Sequence, residues 1–92
     1  MTFTPEQLRS FAEVGGWQYQ AYVSTDLPDF PNDLAACFDV LDSFSMTWQL
    51  QKHNACSGYD VFVWKDGRLV VATDKTKQAA IIAAVLEAKE AT

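Results

Sequence analysis

From Ser10 to Gln51 the chain has neither lysine nor arginine. Phosphate binding depends on neutralising lysines and arginines, so direct binding of nucleic acid is not expected. Cysteine is scarce: Cys37 and Cys56 are too few for a disulfide framework. Cys37 lies in an apolar helical stretch, where a free thiol acts as a small hydrophobe, and a bridge between the two is not implied. The four glycines, Gly15, Gly16, Gly58 and Gly67, form no phosphate-cradling loop. No apolar run approaches the roughly 18–20 residues that span a bilayer. The opening MTFTPEQLRSF does not have the basic-then-apolar layout of a secretion signal. These absences lead to the expectation of a cytoplasmic protein with no membrane partner.

What is present suits one domain over residues 1–92. Apolar residues make up 49% of the chain, which argues for a packed core rather than a disordered tail. The clearest local signal is Tyr59–Thr73, where two apolar runs flank Lys65-Asp66-Gly67-Arg68. An Asp-Gly pair between β-branched and aromatic runs signals a hairpin. In the first run Tyr59, Val61 and Val63 face one way, and Phe62 and Trp64 the other. A strand apolar on both faces needs cover on both, so the sequence predicts a central strand sandwiched between helices.

Around that hairpin, Thr4-Pro5-Glu6-Gln7 has the layout of a capped helix start and Gly15-Gly16 ends the helix. Trp17–Val23 alternates as a half-buried edge strand. Pro28 and Pro31 make Ser24–Pro31 a loop suited to carry a binding surface. A second helix runs from about Asn32 to Ser43, with Asn32 or Asp33 as its cap. Its apolar face is Leu34, Cys37, Phe38, Leu41 and Phe44. Met46–Gln51 alternates again, with Met46, Trp48 and Leu50 inward. Thr73-Asp74, which can cap a helix, precedes a final helix over Thr76–Glu90, with Ala79, Ile82, Ala83 and Leu86 as one apolar stripe and Ile81 and Val85 widening it. The order α-β-α-β-β-β-α predicts an α+β fold: an antiparallel sheet of three or four strands with helices packed on it.

The order Gly16-Trp17, Pro28-Asp29-Phe30-Pro31-Asn32-Asp33-Leu34-Ala35-Ala36, Trp64 and Ala79-Ala80-Ile81-Ile82-Ala83-Ala84-Val85-Leu86 resembles small phage and prophage proteins carrying the phage α-β-α sandwich domain. The similarity spans most of residues 6–88. It implies a phage or prophage origin, action in the host bacterial cytoplasm and a layered architecture. It transfers no catalytic motif. As a class, small acidic phage proteins are similar to inhibitors of host defence, anti-CRISPR proteins among them.

The net charge of −5 is unevenly placed. Residues 1–51 hold seven acids against Arg9, a balance of −6, whereas residues 52–92 hold five acids against six bases, a balance of +1. Asp26, Asp29, Phe30, Asp33, Asp39 and Asp42 are the candidate protein-binding residues. The carboxylates would mimic phosphates in a basic, nucleic-acid-binding groove of a host protein, charge mainly raising the association rate. Tyr22, Phe30 and Trp17 would serve as aromatic anchors. The plainer interpretation of the same acids is a solvated helix with its caps. His53 and Cys56 are the residue types of a base and a thiol nucleophile, but no neighbour in sequence supplies an oxyanion hole or an orienting acid. Donors with metal-ligand spacing, and the alternating acids of a calcium loop, are not present. The sequence therefore leads to a non-enzymatic binding protein without cofactor or metal. The alternative is a structural or assembly module, dimerising through the edge of Trp17–Val23.

Overall fold

A computed structural model describes residues 3–15, 28–45, 47–53 and 57–91. The Trp17–Val23 strand falls outside them, as do Asp26, Met46 and Cys56. The described elements are α1 (Pro5–Val14), a single 3-10 turn (Phe30–Asn32), α2 (Leu34–Phe44), β1 (Thr47–Lys52), β2 (Tyr59–Lys65), β3 (Arg68–Asp74) and α3 (Lys77–Ala91). The strands form an antiparallel sheet in the order β1-β2-β3. The fold is α+β, as the pattern of alternation predicts.

Local chemistry explains most boundaries. Thr4 Oγ1 accepts the Gln7 amide at 3.1 Å and Gln7 Oε1 accepts the Thr4 amide at 2.8 Å, a complete capping box. Gly15 closes α1 without entering the left-handed region (φ −69°). Its amide binds the Ala12 carbonyl at 3.0 Å, which tightens the last turn instead. Asp33 caps α2 through the Ala36 amide at 3.1 Å. The cap of α3 is Thr76, whose Oγ1 accepts the Ala79 amide at 3.1 Å. Thr73 and Asp74, the sequence-predicted cap, have other partners: the Thr73 hydroxyl donates to Asp60 and Asp74 Oδ1 accepts the Lys75 amide. The β2–β3 turn places Asp66 at φ 53° and Gly67 at φ 79°, the pair of positive angles that a two-residue hairpin turn demands.

The layering departs from the prediction in one respect that matters. Val61 and Val63 are fully buried, but Trp64 is 39% exposed, Val71 44% and Leu69 51%. The alternation of side chains puts Phe62 and Trp64 on the side of β2 away from Val61 and Val63. The register sets Phe62 opposite Val71 and Trp64 opposite Leu69, which extends that second face across β3. The described helices all pack on the Val61/Val63 side, so among the described residues the expected sandwich around β2 is corrected to a sheet covered by helices on one face only.

The element that joins the layers is α3 rather than β2. It touches β2, β3, α1, α2 and the 3-10 turn. Ala80, Ile81, Ile82, Ala84 and Val85 have no exposed surface, whereas Ala83 and Leu86 of the predicted stripe are only half-buried. So wide a buried arc meets the sheet and the other helices at once, and its small alanines let them approach closely. Lys89 ties its far end to α1, donating to Ser10 Oγ at 2.8 Å with Glu13 at 3.4 Å. Where α2 ends, the Ser45 hydroxyl donates to the Trp64 carbonyl at 2.6 Å. Lys65 Nζ donates to the Phe44 carbonyl at 2.8 Å, a cation at the negative end of a helix. No helix among the described residues is long and apolar enough to cross a membrane.

Candidate functional site

The acids of the sequence pattern separate by job. Asp29, Asp33, Asp39 and Asp42 are all exposed, on the outer side of α2 and the turn before it. Asp33 Oδ1 caps the helix. Asp29 Oδ2 accepts Asn32 Nδ2 at 2.8 Å, and Asp42 Oδ1 accepts the indole Nε1 of Trp48 at 2.8 Å. Each of these bonds uses one of two carboxylate oxygens. Among the described residues none of the four makes an ion pair. The opposite side of the helix (Ala36, Cys37, Val40, Leu41) is buried, so the carboxylates project from a fixed frame. Asp26 lies outside the described residues, with the proposed anchors Trp17 and Tyr22.

Phe30 is a correction. Its side chain has no exposed surface and stands edge-on to Phe11 with ring centroids 5.0 Å apart. The Phe30 carbonyl accepts the Cys37 thiol at 3.1 Å. A phenylalanine between two prolines suggests a loop, yet the 3-10 turn folds its ring under α3. It is core, not a surface anchor. Burial, with Asp33 nearby as a smaller cause, pushes the Cys37 thiol up to about 12, leaving it protonated and inert.

A second cluster was not legible in the local pattern. His53 Nδ1 lies 2.9 Å from both oxygens of Asp60, the orienting acid that no sequence neighbour supplies. The Thr73 hydroxyl donates to the same carboxylate from β3. Asp60 is only 8% exposed, and the bonds from Thr73 first, then His53, hold its pKa below the ordinary 3.8. An ionised carboxylate only accepts, so Nδ1 carries the hydrogen of the shared bond. An open groove of about 330 Å3 lined by Ser57, Gly58, Thr73, Asp74 and Lys75 adjoins this cluster. Cys56, the nucleophile of the sequence pattern, lies outside the described residues. Among the described residues no group of three histidine, cysteine or acidic side chains could hold a metal ion.

The third surface is the open face of the sheet. Phe62, Trp64, Leu69 and Val71 form a two-by-two apolar block, the two rings stacked at 6.2 Å. Beside it β1 contributes Thr47, Gln49 and Gln51, uncharged and polar. The hairpin register was readable from Asp66-Gly67 and with it this block. What the sequence could not tell was which side of the strands the helices would take.

Comparison with family models, with curated proteins and with solved structures finds no match.

Proposed function

We propose that this chain acts without catalysis, as a protein that docks on another protein through the acidic outer side of α2 and blocks it. One observation carries the proposal: Asp29, Asp33, Asp39 and Asp42 are exposed and without an ion pair among the described residues, on a helix whose other side is locked into the core. Carboxylates held on a rigid element present negative charge without first having to be ordered, which favours a basic partner and speeds encounter with it. The partner that suits this charge is a host protein with a basic, nucleic-acid-binding surface, where the carboxylates stand in for phosphates. The narrower form, an anti-CRISPR-like inhibitor from a phage or prophage, draws its support from the resemblance to the phage sandwich proteins.

Affinity capture from bacterial lysate, read by mass spectrometry, tests the proposal. The expected result is a captured nucleic-acid-handling protein whose association rate falls with salt and whose capture is lost in the double variant Asp39→Lys/Asp42→Lys. Capture that ignores both substitutions, or no specific partner at all, overturns it.

A further inference from the structure

The open face of the sheet has a composition that the acidic docking side does not explain. Its apolar block, Phe62, Trp64, Leu69 and Val71, has three members that are more than one-third exposed. Contiguous exposed apolar groups with a polar rim mark an association surface. The rim on the β1 side is Thr47, Gln49 and Gln51, with Gln49 Nε2 bonded to Gln51 Oε1 at 3.2 Å. Among the described strand residues of this face the one acid, Asp60, is held by His53 and Thr73.

We infer that this face docks against the same face of a second copy of the chain, giving a reversible homodimer in which two sheets pack together and the helices point outward. Charge selects this occupant. The chain carries −5, so two copies repel wherever unpaired acids meet, and like charges set opposite each other weigh heavily against a complex. The open face presents no unpaired acid among its described residues. A partner chosen for basic charge would find nothing to pair with there, whereas a second copy brings the same apolar block and the same neutral rim. Such a contact is self-complementary, as a two-fold interface requires. Stacked sheets sit about 10 Å apart with their side chains interdigitated, and the indole and leucine of this block would supply that layer.

Area sets the strength. Three strands about 4.8 Å apart and six residues long give a footprint of roughly 300 Å2 per protomer, against about 800 Å2 per partner in a standard stable interface. The dimer is therefore weak and concentration-dependent. Because the helices face outward, each dimer shows two acidic α2 surfaces, and the inference stands whether or not those surfaces have a host partner.

Sedimentation of the full chain from about 1 μM to about 1 mM, a range of dissociation constants suited to a small interface, tests it. The expected result is a monomer that becomes a dimer across this range, with an association constant that holds or rises as salt screens the net charge. Val71→Lys and Trp64→Lys, each checked for unchanged circular dichroism, should raise the dissociation constant more than about tenfold, while Asp39→Lys leaves it unchanged. A strict monomer at every concentration overturns the inference. So does a dimer that dissolves as salt rises, since salt would then be screening charge pairs that hold it together. A dimer indifferent to lysine at both positions does the same. If either lysine variant fails to fold, the salt series on the unaltered chain still decides.

Discussion

His53 Nδ1 lies 2.9 Å from each of the two oxygens of Asp60, across the β1–β2 pair. Gln51 stands directly opposite Asp60 in the register, and His53 is the next residue on the same face, the diagonal position. With Thr73 donating from β3, one carboxylate stitches all three strands together at the end of the sheet away from the Asp66-Gly67 turn.

This stitching depends on pH in one direction. The folded pKa of Asp60 lies below the ordinary 3.8, so its bonds contribute stability that is fully present above that value and is lost as pH falls through the folded pKa. Carboxyl titration by NMR should find Asp60 below 3.8 in the intact chain and raised in Thr73→Val, which removes the largest cause of the depression. Asp60→Asn should flatten the loss of stability below about pH 4. An Asp60 that titrates normally in both chains would contradict the geometry.

Phe30 and Phe11, edge to face and fully buried, predict a large packing defect. Phe30→Ala should cost about 3–5 kcal/mol in urea unfolding, a large share of the total for a domain of this size. Surface residues rarely cost more than about 0.5 kcal/mol, so a value that small would return Phe30 to the surface.

Small residues on α3 make the opposite case. Ala80 and Ala84 have no exposed surface, on the packed side of the helix. Ala84→Leu should destabilise by about 1–3 kcal/mol through overpacking, although leucine is nearly as good a helix former as alanine. Urea midpoints measured beside Glu87→Leu, at an exposed position of the same helix, separate packing from propensity.

Cys37 offers a reporter of global unfolding. Its thiol titrates at about 12 instead of 9.0 because it is buried, so in a Cys56→Ser background it should resist thiol reagents at pH 8 and react once denaturant opens the core. The raised pKa also means that the unfolded chain releases its proton first as pH rises. Stability should then decline above about pH 9, and Cys37→Ala should remove that decline while adding the cost of its own cavity. Rapid native-state labelling would show that the core around Phe30 opens locally.

Much of the fold was legible because its signals are local. Thr4 with Gln7, Asp33 before Leu34 and Asp66-Gly67 each act within three residues, and each sits where its chemistry predicts. The candidate site was legible only in part. Asp39 and Asp42 are exposed on α2 and Asp29 and Asp33 just before it, but Phe30 was misplaced because flanking prolines suggest a loop without saying where the ring goes. His53 and Asp60 meet only through strand pairing, seven residues apart, so no motif contains both. The cover of β2 was misjudged for a physical reason. Phe62 and Trp64 are apolar on their own parity, and that chemistry fits equally well beneath a helix or against another molecule.

Val63 and Val71 compare the two faces directly. Val63 is fully buried and Val71 is 44% exposed, on neighbouring strands and on opposite faces of one sheet. Valine to threonine keeps β-branching and volume while adding a hydroxyl, so strand propensity hardly changes. Val63→Thr should cost about 1–3 kcal/mol, the penalty of a hydroxyl buried without a partner. Val71→Thr, measured as a dilute monomer, should stay within about 0.5 kcal/mol. Equal costs at the two sites would mean that both faces are covered within a single chain, which would restore the sandwich and leave no surface for a second copy.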